Sequence, residues 1–329
     1  MDLVNHLEGR LLFAVPKKGR LSQASLNLLE GADIQFKREN RLDIALVKNL
    51  PIALIFLPAA DIPTFVGEGR VDLGITGYDQ VQEHDAGVRA VAHARRLSNA
   101  GERDGSTKPQ GCDTVMELGF GYCRLQVQVP ANGPYTEGKD LIGKNIATSF
   151  VHLTQEYFAR LELEQQGVTD TTQLAGRKLR TKIIELGGSV EAACALGVAD
   201  GIVDLVESGE TMKAAGLKAI DMVLETSALL IKSKAPSNPE LVELIANRIR
   251  GVITAQKYVL CQYNVPRTKL HDATKITPGK RAATVTTLDE EGWVAVSAMV
   301  EKKNIAVVMD ELVKVGATDV LVLDIHNTR

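Results

Sequence analysis

Cysteine is scarce in this chain: Cys112, Cys123, Cys194 and Cys261 are the only four in 329 residues, and no two stand in a CxxC pair. That spacing excludes the usual zinc ribbon or dithiol redox centre and reads as reduced, mostly buried thiols. The histidines are as scattered, without an HxxxH or HxH pair, so no structural transition-metal site is expected. No apolar run approaches the ~20 residues of a transmembrane helix. Charge of one sign is also missing, since a net charge of -3 and a pI near 6.1 leave no basic footprint for nucleic acid. The first residues, MDLVNHLEGR, are acidic and polar where a secretory signal is basic and then apolar. A cytoplasmic protein with neither membrane nor nucleic-acid partner is the expectation.

What is present is an ordinary globular composition, 45% hydrophobic and 24% charged, over a length that calls for two or three domains. The most informative stretch runs from Glu191 to Met212. Ala192, Ala193, Ala195 and Leu196 favour a helix that Gly197 stops. Ile202, Val203, Leu205 and Val206 then read as a buried strand, and Glu207 to Thr211 as a polar loop opening a second helix. A helix start has N–H groups without partners and a dipole that favours an anion. Gly209 lets a ligand approach the backbone, and Ser208 and Thr211 add hydroxyls. Carboxylates at Asp204 and Glu207 would repel a bare phosphate. They suit a ligand carrying hydroxyls or a metal beside its phosphate, and a sugar phosphate fits. A plain polar turn is the alternative.

Upstream, residues 10–16 form a buried-strand run followed by Lys17, Lys18, Gly19 and Arg20, with Ser22 as N-cap of a helix ended by Gly31. Ligands of open α/β sheets sit beyond the carboxyl ends of strands, where this basic cluster falls. It reads as a polyphosphate contact or as a solvated turn. The run 53–58, a helix from Asp61 to Gly69 and the strand 73–77 make a right-handed parallel βαβ unit, which delivers Gly77 and Asp79 to the same edge. Residues 95–113 read as a mobile surface insertion or a linker. The strands 122–130, 144–150 and 181–186 build a second unit, and the glycines of GGSVE clear space for a flat ligand or make a tight turn. Residues 224–234 read as one strand returning to the first lobe. Beyond Pro236, a helix from Pro239 keeps the stripe Leu241, Leu244, Ile245, Ile249, Val252 and Ile253. Two strands around DEEG, a helix 304–315 and the strand 319–325 then form a ferredoxin-like half.

Glu191, Gly197, Ala199, Ile202, Asp204, Leu205, Ser208, Gly209, Thr211 and Met212, with the PKKGRL and GITGYD stretches, resemble the signature of the ATP phosphoribosyltransferase family in its long form, and the chain resembles the fungal type. The resemblance covers nearly the whole chain. It implies an α/β fold: a catalytic region with two lobes like type II periplasmic-binding proteins, and a C-terminal ferredoxin-like regulatory domain. Lobe I is expected at 1–112, completed by about 215–234, lobe II at 113–214 and the regulatory domain at 236–329. The activity implied is transfer of the phosphoribosyl group of phosphoribosyl pyrophosphate to N1 of ATP, the first step of histidine biosynthesis. Such chemistry needs positioning, neutralisation of the leaving group and hydrogen bonds to the ribose.

The site residues that the resemblance implies are Lys18, Arg20, Asp79 and Asp204 for catalysis. Asp204, Glu207, Ser208, Gly209, Glu210 and Thr211 would bind phosphoribosyl pyrophosphate, and Gly77, Arg124, Gly188 and Glu191 would bind ATP. Asp79 is open between orienting Mg²⁺, a ribose hydroxyl or a neighbouring base, and capping a helix. Mg²⁺ is expected to travel with pyrophosphate and not on a protein-built metal site. Removing charge at Lys18 or Arg20 is expected to cost turnover with little loss of folding. Histidine, the expected inhibitor, would lie near Asn264, Thr284, Met299 and Asp319 at a subunit interface of a homo-oligomer, dimer to hexamer. The chain departs from bacterial relatives at Pro58, Ala59 and Ala60, where basic residues are usual, so that phosphate neutralisation leans on Lys18, Arg20, Arg124 or another subunit. Asn264 stands where some members of the family carry an acidic residue, which removes one expected ammonium contact. A solute-binding protein of the same fold and a catalytically dead regulatory subunit are the rival readings; the intact 204–211 loop argues against the second.

Overall fold

The computed structural model describes residues 7–38, 42–97, 111–168 and 177–329. Most of the surface insertion expected at 95–113 lies outside them. The chain forms two compact units, one comprising residues up to Ser25 and Phe36–Val242, the other Leu26–Gln35 and Glu243–Arg329.

The first unit contains two sheets. Strands β1 (Leu11–Pro16), β2 (Ile44–Leu46), β3 (Ile52–Leu57), β4 (Leu73–Gly77) and β5 (Cys112–Glu117) belong to lobe I, with helices α2 (Ile62–Gly67) and α3 (Tyr78–Leu97) between them and α1 (Ser22–Gly31) after β1, its residues from Leu26 grouping with the second unit. Lobe II holds β6 (Cys123–Pro130), β7 (Asn145–Thr148), α4 (Val151–Gln165), β8 (Lys182–Glu185), β9 (Gly201–Val206), α5 (Glu210–Ala214) and β10 (Leu217–Thr226). The chain then returns as β11 (Ala228–Ser233), giving sheet orders β2-β3-β1-β4-β11-β5 and β10-β6-β9-β7-β8. β3 and β4 both run parallel to β1, and β8 and β9 both run parallel to β7. Each lobe therefore gathers the loops that follow its parallel strands at one edge.

The burial of β1 explains its continuous apolar run, and every residue of β4 is buried too, Thr76 included. Lobe II closes over Leu125, Val127, Val129, Ile146 and Phe158, and Ala86 of α3 joins that cluster. Each large side chain buried there contributes about 1.5–3 kcal/mol.

Several expectations need correction. The helix expected at 192–196 is a single 3-10 turn, Val190–Ala192, continued by turns to Gly197; Ser189 at φ 51° and Gly197 at φ 68° bound the segment on both sides with left-handed backbone that a helix cannot continue through. The strand expected at 224–234 is two strands, one in each lobe, because the chain crosses at Ser227. β10 escaped sequence reasoning because register shifts between Ala219 and Asp221 and between Met222 and Leu224 break its period of two. The boundary expected at 112/113 falls inside β5, which pairs with β11. Ser22 is the first helical residue and not the cap.

In the second unit, α6 (Pro239–Lys257) runs straight into β12 (Tyr258–Pro266), followed by α7 (Leu270–Ile276), β13 (Thr284–Thr287), β14 (Trp293–Glu301), α8 (Ile305–Lys314) and β15 (Thr318–Asp324). The sheet order β13-β14-β12-β15, all antiparallel, makes the ferredoxin-like module complete and not half. β12 buries Val259, Cys261, Tyr263 and Val265 in alternation. No Gly or Pro separates it from α6, which hid its start. Leu244, placed in the apolar stripe, is 41% exposed. The unit also takes in 26–35: Arg248 Nη1 donates to the Ala32 and Asp33 carbonyls at 3.4 and 3.1 Å, and Asn327 Nδ2 to Gly31 at 3.2 Å.

Candidate active site

The loop after β1 and the start of α3 meet through one ion pair. Arg20 Nη2 lies 3.3 Å from Asp79 Oδ1, with side chains 22% and 1% exposed. Arg20 Nη1 donates to the Gly121 carbonyl. Thr226 Oγ1 donates to Asp79 Oδ1 at 2.6 Å and Gln80 Nε2 to Oδ2 at 3.0 Å. Asp79 is thus enclosed by protein donors, and Arg20 is its link towards solvent. A Cβ on Gly77 would strike the Asp79 carboxylate, and one on Gly121, at φ +69°, would strike Leu21. Both glycines leave room for the pair, and Gly121 was missed by sequence reasoning. Lys17 pairs with Asp43 at 2.8 Å, whereas exposed Lys18 meets no carboxylate among the described residues.

Facing this loop is the carboxyl end of β9. Asp204 is partly buried, with Oδ1 accepting its neighbour Leu205 N–H at 2.8 Å. Burial above all, and the nearby Glu191 charge, push its carboxyl above the usual range, against that bond. Glu207, Ser208, Glu210 and Thr211 are exposed, and Gly209 has φ +81° at the start of α5. The first-turn N–H groups of α5 lack intrahelical acceptors, and Ser208 Oγ takes only that of Glu210, at 3.4 Å.

These two sets converge on the start of β6. The Cys123 thiol lies in the field of Arg20, Asp79, Glu207 and Asp204, and burial, the largest influence, pushes it up to about 11. It stays protonated and is no nucleophile at neutral pH. A small cavity of about 170 Å³ is lined by Lys18, Arg20, Gly77, Asp79 and Leu205 among others. Arg124, paired with Val206 in register, lies beside the β9 loop and forms an exposed ion pair with Glu225 at 3.3 Å. Gly188 has open space where a Cβ would stand, and it is the neighbouring Ser189, at φ 51°, that makes the turn. A larger cavity of about 830 Å³ lies between α2 and α3 of lobe I and Ser149, His152 and Glu185 of lobe II. Its Glu83 and His152 were not found from the sequence. Among the described residues no three His, Cys, Asp or Glu side chains come together to hold a metal.

In the C-terminal module, Asn264, Met299 and Thr284 project from the face of the sheet opposite its helices, as their alternation with buried neighbours requires. Asn264 Nδ2 donates to Asp319 Oδ2 at 3.0 Å, and Asp319 has φ 52°.

Two α/β lobes joined by paired crossings, with a basic loop of one facing a Gly-containing loop of the other, define an enzyme-like cleft of the type II periplasmic-binding-protein fold. Residues 58–251 match the sequence profile of ATP phosphoribosyltransferase, and 255–327 that of the HisG C-terminal domain. The chain is 61% identical to the ATP phosphoribosyltransferase of Yarrowia lipolytica over 329 residues and 54% identical to that of Saccharomyces cerevisiae over 330, covering 100% of each sequence. A solved structure, the ATP phosphoribosyl transferase (HisG:HisZ) complex from Thermotoga maritima, is similar in fold, with TM-score 0.55 and 24% identity over 75% of this chain and 98% of that one. The chain belongs to the ATP phosphoribosyltransferase family, and so to the first step of histidine biosynthesis.

Proposed function

We propose that this chain joins N1 of ATP to C1 of phosphoribosyl pyrophosphate. The N1 lone pair forms the new bond, the bond from C1 to the pyrophosphate oxygen breaks, and its electrons leave on pyrophosphate. The observation that carries this reading is the convergence of Arg20 and Lys18 with the Asp204–Thr211 loop across the Cys123 position. Ser208, Gly209, Glu210 and Thr211 take the 5-phosphate, chiefly through backbone N–H groups. Asp204 accepts from the ribose hydroxyls and offsets positive charge growing at C1. Lys18 and Arg20 neutralise phosphate oxygens; Asp79, enclosed as it is, acts through Arg20. Gly77, Arg124, Gly188 and Glu191 border the ATP side.

The partly buried Asp204 and exposed Glu207 are oxygen donors of the type Mg²⁺ accepts and would face a Mg²⁺ carried on the pyrophosphate group of the substrate, which would supply charge neutralisation of the leaving group. The C-terminal module binds L-histidine near Asn264, Thr284, Met299 and Asp319, at an interface of a homo-oligomer, and restrains catalysis. A cytoplasmic setting suits this reading, and no helix among the described residues is long and apolar enough to cross a membrane. The test is direct: the pure protein with ATP, Mg²⁺ and phosphoribosyl pyrophosphate should yield phosphoribosyl-ATP and pyrophosphate in equal amounts. Hydrolysis alone, or no product, would refute it.

A further inference from the structure

The second crossing between the lobes passes directly beside the Arg20–Asp79 pair. Thr226, the last residue of β10, lies opposite Cys123 in the ladder with β6. Thr226, Ser227 and Asp79 are 5%, 7% and 1% exposed. The Thr226 hydroxyl closes a two-bond ring on Asp79: its oxygen accepts the Asp79 backbone N–H at 3.0 Å, and its proton goes to Oδ1 at 2.6 Å. The direction of the second bond is fixed because a carboxylate only accepts. Tyr78 N–H donates to the Ser227 carbonyl at 2.9 Å, and Ala228 N–H to that of Phe120 at 3.0 Å. Arg20 in turn donates to the Gly121 carbonyl in the other crossing. A continuous chain of hydrogen bonds therefore runs from one crossing to the other, through Thr226, Asp79, Arg20 and Gly121.

We propose that Thr226 is a positioning residue for phosphoribosyl transfer: by fixing the Asp79 carboxylate it aims the Arg20 guanidinium at the phosphate oxygens, tying that aim to the place where the lobes join. The inference rests on the proposed role of Arg20 as an anion contact. An unheld carboxylate has other rotamers, and Arg20 would follow it. The geometry gives the hydroxyl this role and leaves the methyl group to packing. Thr226→Val keeps the volume and removes both bonds; Thr226→Ser keeps the hydroxyl.

The experiment measures kcat and KM for both substrates in the full chain, with folding followed by circular dichroism and thermal unfolding. Thr226→Val should lose about 10- to 100-fold in kcat/KM, and Thr226→Ser should recover most of it. In a double-mutant cycle, Thr226→Val placed on Arg20→Ala should add almost nothing to the loss. A purely structural threonine would instead give additive losses. Should Arg20→Ala or Thr226→Val not fold, Arg20→Lys and Thr226→Ala complete the same cycle. Full activity in Thr226→Val, failure of the serine to rescue, or additivity in the cycle would overturn the proposal. If the unaltered chain makes no phosphoribosyl-ATP, the functional reading fails separately. The affinity for Mg²⁺-pyrophosphate by calorimetry then decides Thr226 on the same variants, with the same criteria; no measurable pyrophosphate binding overturns it.

Discussion

The Glu83 carboxylate of lobe I accepts the backbone N–H of His152, in the first turn of α4 in lobe II, at 2.8 Å, and that of Leu153 at the same distance. A side chain of one lobe thus caps a helix of the other, satisfying two of the donors that a helix start leaves open. Arg89 and Glu156 add an ion pair at 3.0 Å between the same helices.

Burial, the largest influence, raises the Glu83 carboxyl above 4.5 despite these two bonds. A carboxyl raised in the folded state contributes stability that is full below its unfolded value and is lost as pH rises through the folded one. As pH rises from the ordinary carboxylate value through the raised one, the chain should therefore lose stability relative to Glu83→Gln, which cannot ionise. Urea unfolding of both proteins across that range measures the difference. A difference that does not change with pH would remove Glu83 as its source.

Lys18 and Arg20 should separate in a way their shared loop conceals. Removing Lys18, which is exposed and has no carboxylate partner among the described residues, should cut turnover and leave the melting temperature unchanged. Removing Arg20 strips a partner from the buried Asp79 and should also cost about 3 kcal/mol of stability. The expectation of little loss of folding at either position is thus replaced at Arg20 by a stability cost, because Arg20 pairs with the buried Asp79, and at Lys18 it awaits this measurement. Full activity in Lys18→Ala would make its charge an ordinary solvated one.

Much of this was legible in the chain because the lobes are built from short local units. Strands such as β1 and β3 are continuous apolar runs, and the glycines and polar residues that follow the strands mark the edge where ligands bind. What escaped notice depends on contacts distant in sequence. Thr226 meets Asp79 only because β10 ends where the chain crosses between lobes, and nothing in LETSALL marks a break in the strand. Glu83 lies one helical turn past Asp79, yet its target, the α4 amides, is set by lobe packing. β12 was hidden for a different reason: a helix that turns into a strand without a loop shows only a change of period, from the α6 stripe to the alternation of Val259, Cys261, Tyr263 and Val265.

Thr211 stands exposed in the second position of α5, with no protein partner for its hydroxyl among the described residues. Thr211→Ala should raise KM for phosphoribosyl pyrophosphate ~10-fold, the scale of one hydrogen bond to a charged group. KM for ATP should stay the same, and so should the unfolding midpoint. An unaltered KM for the sugar phosphate would take Thr211 out of the site.

The proposed regulatory role of the C-terminal module draws its support from how its sheet is built. α7 and α8 cover one face, and the opposite face presents Asn264, Met299 and Thr284, with Leu321 and Leu323 55% and 49% exposed on the neighbouring strand. The Asn264 amide is engaged by Asp319, so the carboxylate of Asp319 is the anionic group available there for an ammonium. An amino acid bound on this face inhibits only if it favours one state of the assembly over another, and a coupling of ~1–3 kcal/mol is typical of such effects. Millimolar histidine should slow the full-length enzyme, and Thr284→Trp, which fills the exposed face beside Ser297, should abolish that response while leaving the uninhibited rate intact. Asp319→Asn should weaken histidine binding measured by calorimetry. Histidine that neither binds nor slows the intact enzyme would sink the regulatory reading and leave assembly as the role of the module.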